Sequence, residues 1–248
     1  MNLEKWQLHD GERLDDLNCK GYQVIQDPDS FCFGMDAVLL TEFVKVKKDE
    51  TVLDLCTGTG VIPILLEAKT EGKHFVGVEI QSDVADMARR SVELNGIKDK
   101  IDIINEDLCC LDGFMKGNLF DVVTVNPPYM VPNKALVNPD EGKAIARHEI
   151  KCTLEDVLRQ SARALKSNGR FYMVHKPDRL SEIIVKMKEQ QLEPKRLRIV
   201  YPRVDRDPSM ILIEGLKGGN QGMRVDKPLI IYDDEGRYMP EVSRIYEG

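Results

Sequence analysis

Aromatic residues are scarce in this chain. They make up 6% of its 248 residues and include one tryptophan, Trp6, which leaves little material for a carbohydrate-type stacking surface. No apolar run approaches the roughly 18 residues that a membrane helix needs. The opening Met1-Asn2-Leu3-Glu4-Lys5-Trp6 lacks the basic-then-apolar order of a signal peptide, so the expected compartment is the cytoplasm. The six cysteines (Cys19, Cys32, Cys56, Cys109, Cys110 and Cys152) contain no Cys-x-x-Cys, and the four histidines show no ligand spacing. Zinc sites usually announce themselves by paired ligands, so no metal is expected. Repeats and low-complexity tracts are also missing.

What is present suits one α/β domain with additions. Apolar residues make up 42% of the chain, enough for a full-sized core. The net charge of −7 speaks against a nucleic-acid partner, yet it is uneven. Residues 1–150 sum to −11 and residues 151–248 to +4, with the basic excess between Arg170 and Lys227. A local basic stripe can hold phosphates on an acidic protein.

The pattern predicts a hairpin of Gly21–Gln26 with Ser30–Phe33 about the turn Asp27-Pro28-Asp29, then a helix from Gly34 to Val44. Short apolar strands follow at Val52–Cys56, His74–Glu79, Ile101–Asn105, Phe120–Val125, Arg170–Val174, Lys195–Tyr201 and Met210–Glu214. Helical stretches separate most of them, one of which, Thr153–Lys166, is expected to stop at Asn168-Gly169. Strands alternating with helices imply parallel βαβ units. The expected fold is α/β and Rossmann-like, a seven-stranded, mostly parallel sheet with helices on both faces. Residues 1–48 form an N-terminal hairpin and helix packed on the core, and residues 49–248 form the catalytic domain with a hairpin tail at Pro228–Tyr246.

In an open doubly wound sheet, ligands bind beyond the carboxyl ends of the strands. Those ends carry Asp54-Leu55-Cys56-Thr57-Gly58-Thr59-Gly60, then Glu79, then Asp107, then Asn126-Pro127-Pro128-Tyr129. Gly58 and Gly60 allow backbone to approach a ligand closely. Glu79 lies 19 residues after Gly60, where a carboxylate can accept from both ribose hydroxyls. Asp107 can accept from an adenine amino group, or cap the segment that starts at Leu108. A dinucleotide fingerprint would want a small residue at position 63, which is Pro63, and bare helix amides for a pyrophosphate. The acidic edge favours S-adenosylmethionine, which carries a sulfonium, an ammonium and no phosphate. Ile80 and Leu108 join Glu79 and Asp107 as cofactor-binding candidates.

Asn126-Pro127-Pro128-Tyr129 is the most specific signal. An amino group on an aromatic ring or a carbonyl is a poor nucleophile, because its lone pair is delocalised. Two acceptors on its hydrogens, the Asn126 side-chain oxygen and the Pro127 carbonyl, would localise that pair. Pro127 and Pro128 stiffen the turn and remove competing amide donors. Tyr129 can stack on a planar substrate.

These two motifs together resemble class I S-adenosylmethionine-dependent amino-methyltransferases. The blocks Gly34-Met35-Asp36-Ala37-Val38-Leu39-Leu40, Ala146-Arg147-His148-Glu149, Leu165–Arg170, Val174–Leu180 and Glu214–Gly219 look like the bacterial tRNA adenine amino-methyltransferase family. Its characterised members act on valine tRNA, on the adenine beside the anticodon. The resemblance implies that Gly34, Met35 and Asp36 hold the methionine end of the cofactor, and that Arg147, His148 and Arg203 border the substrate. Cys56 stands where many members have glycine, which changes little if its φ is negative. For a tRNA substrate, Lys176, Arg179, Lys195, Arg196, Arg198, Arg203 and Arg206 would line up phosphates, although Lys195, Arg196 and Arg198 could instead guard an edge strand. Rival readings are a protein-glutamine amide methyltransferase, a ribosomal RNA or DNA amino-methyltransferase, a dehydrogenase, and a non-enzymatic RNA-binding scaffold on the same fold. The intact Asp54, Glu79, Asp107, Asn126 and Tyr129 speak against the scaffold.

Overall fold

Residue by residue, the strands alternate between two buried faces. Val52, Val122 and Tyr172 pack on one side of the sheet, while their neighbours Leu53, Val123 and Phe171 pack on the other. That double burial belongs to a sheet covered on both faces. The computed structural model describes residues 7–29, 32–113, 119–127 and 152–247.

In chain order, the strands are β1 (Arg13–Asp16), β2 (Gln23–Gln26), β3 (Thr51–Leu55), β4 (His74–Glu79), β5 (Ile101–Asn105), β6 (Phe120–Val125), β7 (Leu165–His175), β8 (Leu192–Tyr201), β9 (Met210–Lys217), β10 (Arg224–Val225) and β11 (Leu229–Ile230). The helices are α1 (Met35–Phe43), α2 (Val61–Lys69), α3 (Ser82–Leu94), α4 (Leu154–Ala164), α5 (Leu180–Glu189) and α6 (Pro240–Glu247), with a short 3-10 turn at Leu108–Gly113. The core sheet runs β5-β4-β3-β6-β7-β9-β8. Its strands are parallel except β9, which is antiparallel to β7 and β8. The mostly parallel expectation is met, and the short strands β10 and β11 extend the expected seven strands to nine. Helices α1, α2 and α6 cover one face, and α4 and α5 cover the other. No helix among the described residues is long and apolar enough to cross a membrane.

Three local expectations need correction. The N-terminal hairpin pairs β2 with β1, not with the segment after Asp29. The tight turn is 17–22, where Asn18, Lys20 and Gly21 take positive φ and Leu17 and Tyr22 close the backbone bond. The helix expected to end at Asn168-Gly169 ends at Ala164, and Leu165 already pairs with Phe120. Residues 166–169 bulge out before Arg170 rejoins the ladder opposite Val122. The tail is a single bridge, Tyr232 to Tyr238, followed by α6. Pro240 begins that helix with its φ preset, and Val242 and Ile245 bury one side of it.

The hairpin docks on α3. Ile25 donates its amide to Ser91 Oγ at 2.9 Å, Asn95 closes both backbone groups of Gln23, and Arg90 grips the Glu12 carboxylate with two nitrogens. The outer edge of β8 is covered by β10 and β11, both running parallel to it. It is therefore not an open edge strand.

Candidate active site

Six parallel strands deliver their carboxyl ends to one edge. Asp54, near the end of β3, is fully buried between Gly77 and Thr124 in register. Its Oδ1 accepts from Thr124 Oγ1 at 2.6 Å. Neither Asp54 Oδ2 nor Thr57 Oγ1 completes a well-formed hydrogen bond, although the Thr57 hydroxyl is close enough to lower the carboxyl's proton affinity. Burial outweighs both hydroxyls and pushes Asp54 up to about 7, with Glu79 adding to the rise.

The turn after β3 is shaped by backbone conformation. Gly58 and Gly60 have φ of 57° and 83°, values that suit glycine. A Cβ on Gly58 would meet nothing, whereas one on Gly60 would sit 3.3 Å from Ala88 Cβ. Cys56 also has positive φ, at 57°, so the condition under which its side chain would matter little is not met. A non-glycine residue there costs about 1–2 kcal/mol. Sequence reading also overlooked two supports. Gln26, fully buried on β2, donates to Thr59 Oγ1 and accepts from the Phe33 amide at 3.1 Å. Gly77, in mid-β4, lies directly under Thr57, and a Cβ there would come within 2.8 Å of the threonine side chain. A glycine inside a strand run is the available signal of such an approach.

Glu79 ends β4 almost wholly buried. Its Oε2 accepts from the Gly58 amide at 3.0 Å and its Oε1 from the Gln81 amide at 2.9 Å. Asn105 clamps the next strand to it by donating to the carbonyls of Glu79 and Ile80. Asp107 Oδ1 accepts from the Cys109 amide at 2.8 Å, so this carboxylate caps the 3-10 turn, while Leu108 is buried beneath it. Gly34, Met35 and Asp36 sit at the start of α1. A side chain at Gly34 would strike Asp36 Oδ1 at 2.9 Å. Asp36 Oδ2 accepts from Asn126 Nδ2 at 3.1 Å, which joins α1 to the end of β6. Pro127 follows, buried. Pro128, Tyr129, Arg147 and His148 lie outside the described residues.

Beyond β7, His175 is buried and pushed down to about 4 by that burial, with Arg179 contributing. Its Nδ1 accepts from the Lys176 amide at 2.8 Å, and Lys176 itself is exposed. Arg203 lies in the loop after β8, its guanidinium beside Gly236. Four of the seven residues of the basic stripe have partners within the chain. Arg196 pairs with Glu214 at 2.9 Å and stacks on Phe43, Arg198 pairs with Glu241 at 2.7 Å, Lys195 donates to the Asn220 carbonyl, and Arg179 pairs with Glu182. Arg196 is held in a part-buried pair, the contacts of Arg179, Lys195 and Arg198 lie on the exposed surface, and β10 and β11 already cover the edge of β8.

The donor set fits S-adenosylmethionine. Two partnerless buried oxygens and a wide-backbone turn lie beside an acidic edge. The sheet order and this edge define a methyltransferase of the Rossmann-like class. The chain belongs to the methyltransferase small domain family, whose model matches residues 22–193. It is 29% identical over 78% of its length to a Bacteroides thetaiotaomicron protein named tRNA1(Val) (adenine(37)-N6)-methyltransferase, covering 80% of that relative. A Porphyromonas gingivalis protein of the same name is 27% identical, over 94% of each chain. Among solved structures, an Agrobacterium tumefaciens protein described as a predicted O-methyltransferase superposes with a TM-score of 0.70, at 21% identity over 86% of this chain and 95% of that one.

Proposed function

We propose that this chain transfers a methyl group from S-adenosylmethionine to the exocyclic amino nitrogen of an adenine in tRNA, near the anticodon. The observation that carries the reading is the bond from Asn126 Nδ2 to Asp36 at the end of β6. A carboxylate is an acceptor only, so it fixes which end of the carboxamide is which and orients Oδ1 as the acceptor end. That oxygen and the Pro127 carbonyl are the two groups able to take the hydrogens of a planar amine and restore its lone pair. Pro127 has no N–H to compete.

When bound, S-adenosylmethionine supplies an electrophilic methyl on a sulfonium. Asp54 and Thr57 offer the partnerless oxygens for its cationic end, with Asp36 alongside. The Glu79 carboxylate, already held by Gly58 and Gln81, faces the ribose position, and Asp107 faces the adenine. Positioning supplies most of the acceleration in such a transfer, and no residue need act as a formal base, because the nitrogen becomes acidic once methylated. An anticodon loop suits the substrate role, because its bases leave their stack cheaply.

The test is methylation of unmodified total tRNA with labelled cofactor, followed by nucleoside analysis. Label in N6-methyladenosine is expected. Label confined to protein would move the assignment to a glutamine-amide methyltransferase. Asn126→Ala should lose turnover by at least about a hundredfold, as removal of an oriented polar group from a reaction centre does, with cofactor affinity within about tenfold. Substantial activity in that variant would remove Asn126 from the chemistry.

A further inference from the structure

A cluster of side chains of metal-ligating type lies just beyond Asp107, in the turn that follows β5 and at the start of α4. Cys109 is in the 3-10 turn and Cys152 and Asp156 are at the start of α4. One ligand atom from each lies within 4.8 Å of the other two. Sequence spacing hid the group, since Cys109 and Cys152 are 43 residues apart and form no motif. The two thiols are not joined as a disulfide.

Each member makes a further bond, that of the Cys152 thiol being a donation to the Thr153 carbonyl at 3.5 Å. Cys109 has its amide tied to Asp107, and its carbonyl accepts from Gln160 of α4. Cys152 directly precedes Thr153, the N-cap of α4. Asp156 Oδ2 accepts from both the amide and the hydroxyl of Thr153, at 3.0 and 2.6 Å, and Arg159 pairs with its other oxygen. The reciprocal capping box turns the carboxylate back toward Cys152. Such supporting bonds fix metal ligands in working metal sites.

The chemistry selects the ion. Two thiolates and a carboxylate suit a thiophilic, tetrahedral cation and not magnesium or calcium. Metal–sulfur bonds of about 2.3 Å at tetrahedral angles set sulfurs about 3.8 Å apart, a spacing this cluster can reach without moving an element. Three anionic ligands around a dication leave a net charge of −1, the sign that the start of a helix stabilises. All three residues are partly exposed, so water can complete the coordination.

We propose that Cys109, Cys152 and Asp156 bind a thiophilic divalent cation of the zinc class, which would pin the start of α4 to the turn that follows Asp107. This reverses the expectation of no metal from spacing alone, and it stands apart from the methyl-transfer reading. The test uses the reduced, metal-free full chain titrated with cobalt(II). The expected result is an intense near-ultraviolet thiolate-to-cobalt band that saturates at one equivalent and bleaches on addition of zinc. It should vanish in Cys109→Ser and Cys152→Ser and persist in Cys110→Ser, and Asp156→Asn should weaken cobalt binding about tenfold or more. If a serine variant fails to fold, alkylation of the unaltered protein decides the matter: zinc should protect Cys109 and Cys152 but leave Cys110 reactive. Absence of the band, its survival in Cys152→Ser, failure of zinc to protect, or a Cys109–Cys152 disulfide in the isolated protein would overturn the proposal.

Discussion

The carboxylate of Asp36 receives a hydrogen bond from the carboxamide nitrogen of Asn126 across 3.1 Å and 90 residues of sequence. One residue comes from the segment before the first core strand and the other from the turn after β6. Replacing Asp36 with Asn would let position 36 donate and turn the Asn126 amide around. Asp36→Asn is therefore expected to lower the single-turnover methyl-transfer rate about 10- to 100-fold, at least as severely as Asp36→Ala. Single-turnover rates at saturating cofactor, with affinity from calorimetry, check this. A weaker affinity with an unchanged saturated rate would make Asp36 a binding group alone.

The buried Asp54 makes a statement about pH. Its carboxyl holds a proton up to about 7 in the fold, but loses it near 3.8 in the unfolded chain. Between those values the folded state binds the extra proton, so this group's contribution to stability declines as pH rises and levels off above about 7. Asparagine keeps the acceptor for Thr124 and does not titrate. Asp54→Asn should thus gain stability relative to the unaltered protein by at least about 1 kcal/mol between about pH 5 and about pH 8, measured by urea unfolding without cofactor. A constant difference across that range would contradict the burial argument.

A Cβ at Gly77 would come within 2.8 Å of the Thr57 side chain and 2.9 Å of Ile103 Cδ1, closer than van der Waals contact allows. Gly77→Ala should lift the glycine turn, cost about 1–3 kcal/mol of stability and weaken cofactor binding. Paired thermal melts and calorimetry test it. Unchanged cofactor affinity would show that the turn moves without consequence.

Arginines on this protein fall into two kinds. Arg196 is locked between Glu214, Asp226 and the Phe43 ring, so Arg196→Ala should lower the melting temperature and leave the salt dependence of tRNA binding alone. Arg203→Ala should leave melting unchanged and reduce the slope of log affinity against log salt by about one. Filter binding across a salt series separates the two, and an unchanged slope for Arg203→Ala would take that residue out of the substrate surface.

Much of this architecture was legible in the sequence, because burial on both faces writes long apolar strands and the site occupies turns with unusual composition. The glycine turn, Glu79, Asp107 and Asn126 all fall at the strand ends where their residue types placed them. What stayed hidden was set by partners far away in the chain. Gln26 reads as an ordinary strand residue until Thr59 is beside it. Arg196 and Arg198 read equally as phosphate ligands or as guards of an edge strand until Glu214, Asp226 and Glu241 are in view. The strand partner of β2 was missed because Arg13–Asp16 is mostly polar and carries little apolar alternation. Cys56 shows a third limit, since no side chain announces its own positive φ.

The bond from Gln26 to Thr59 carries an engineering consequence. A fragment starting at β3 would hold every strand of the core sheet together with Asp54 and Glu79, yet it would lose α1 with Asp36 and leave the glycine turn without the amide that braces it from outside. Excising the core strands with only the helices that follow them would therefore bare part of one sheet face and slacken the turn after β3, and a minimal version of this enzyme has to begin no later than β2.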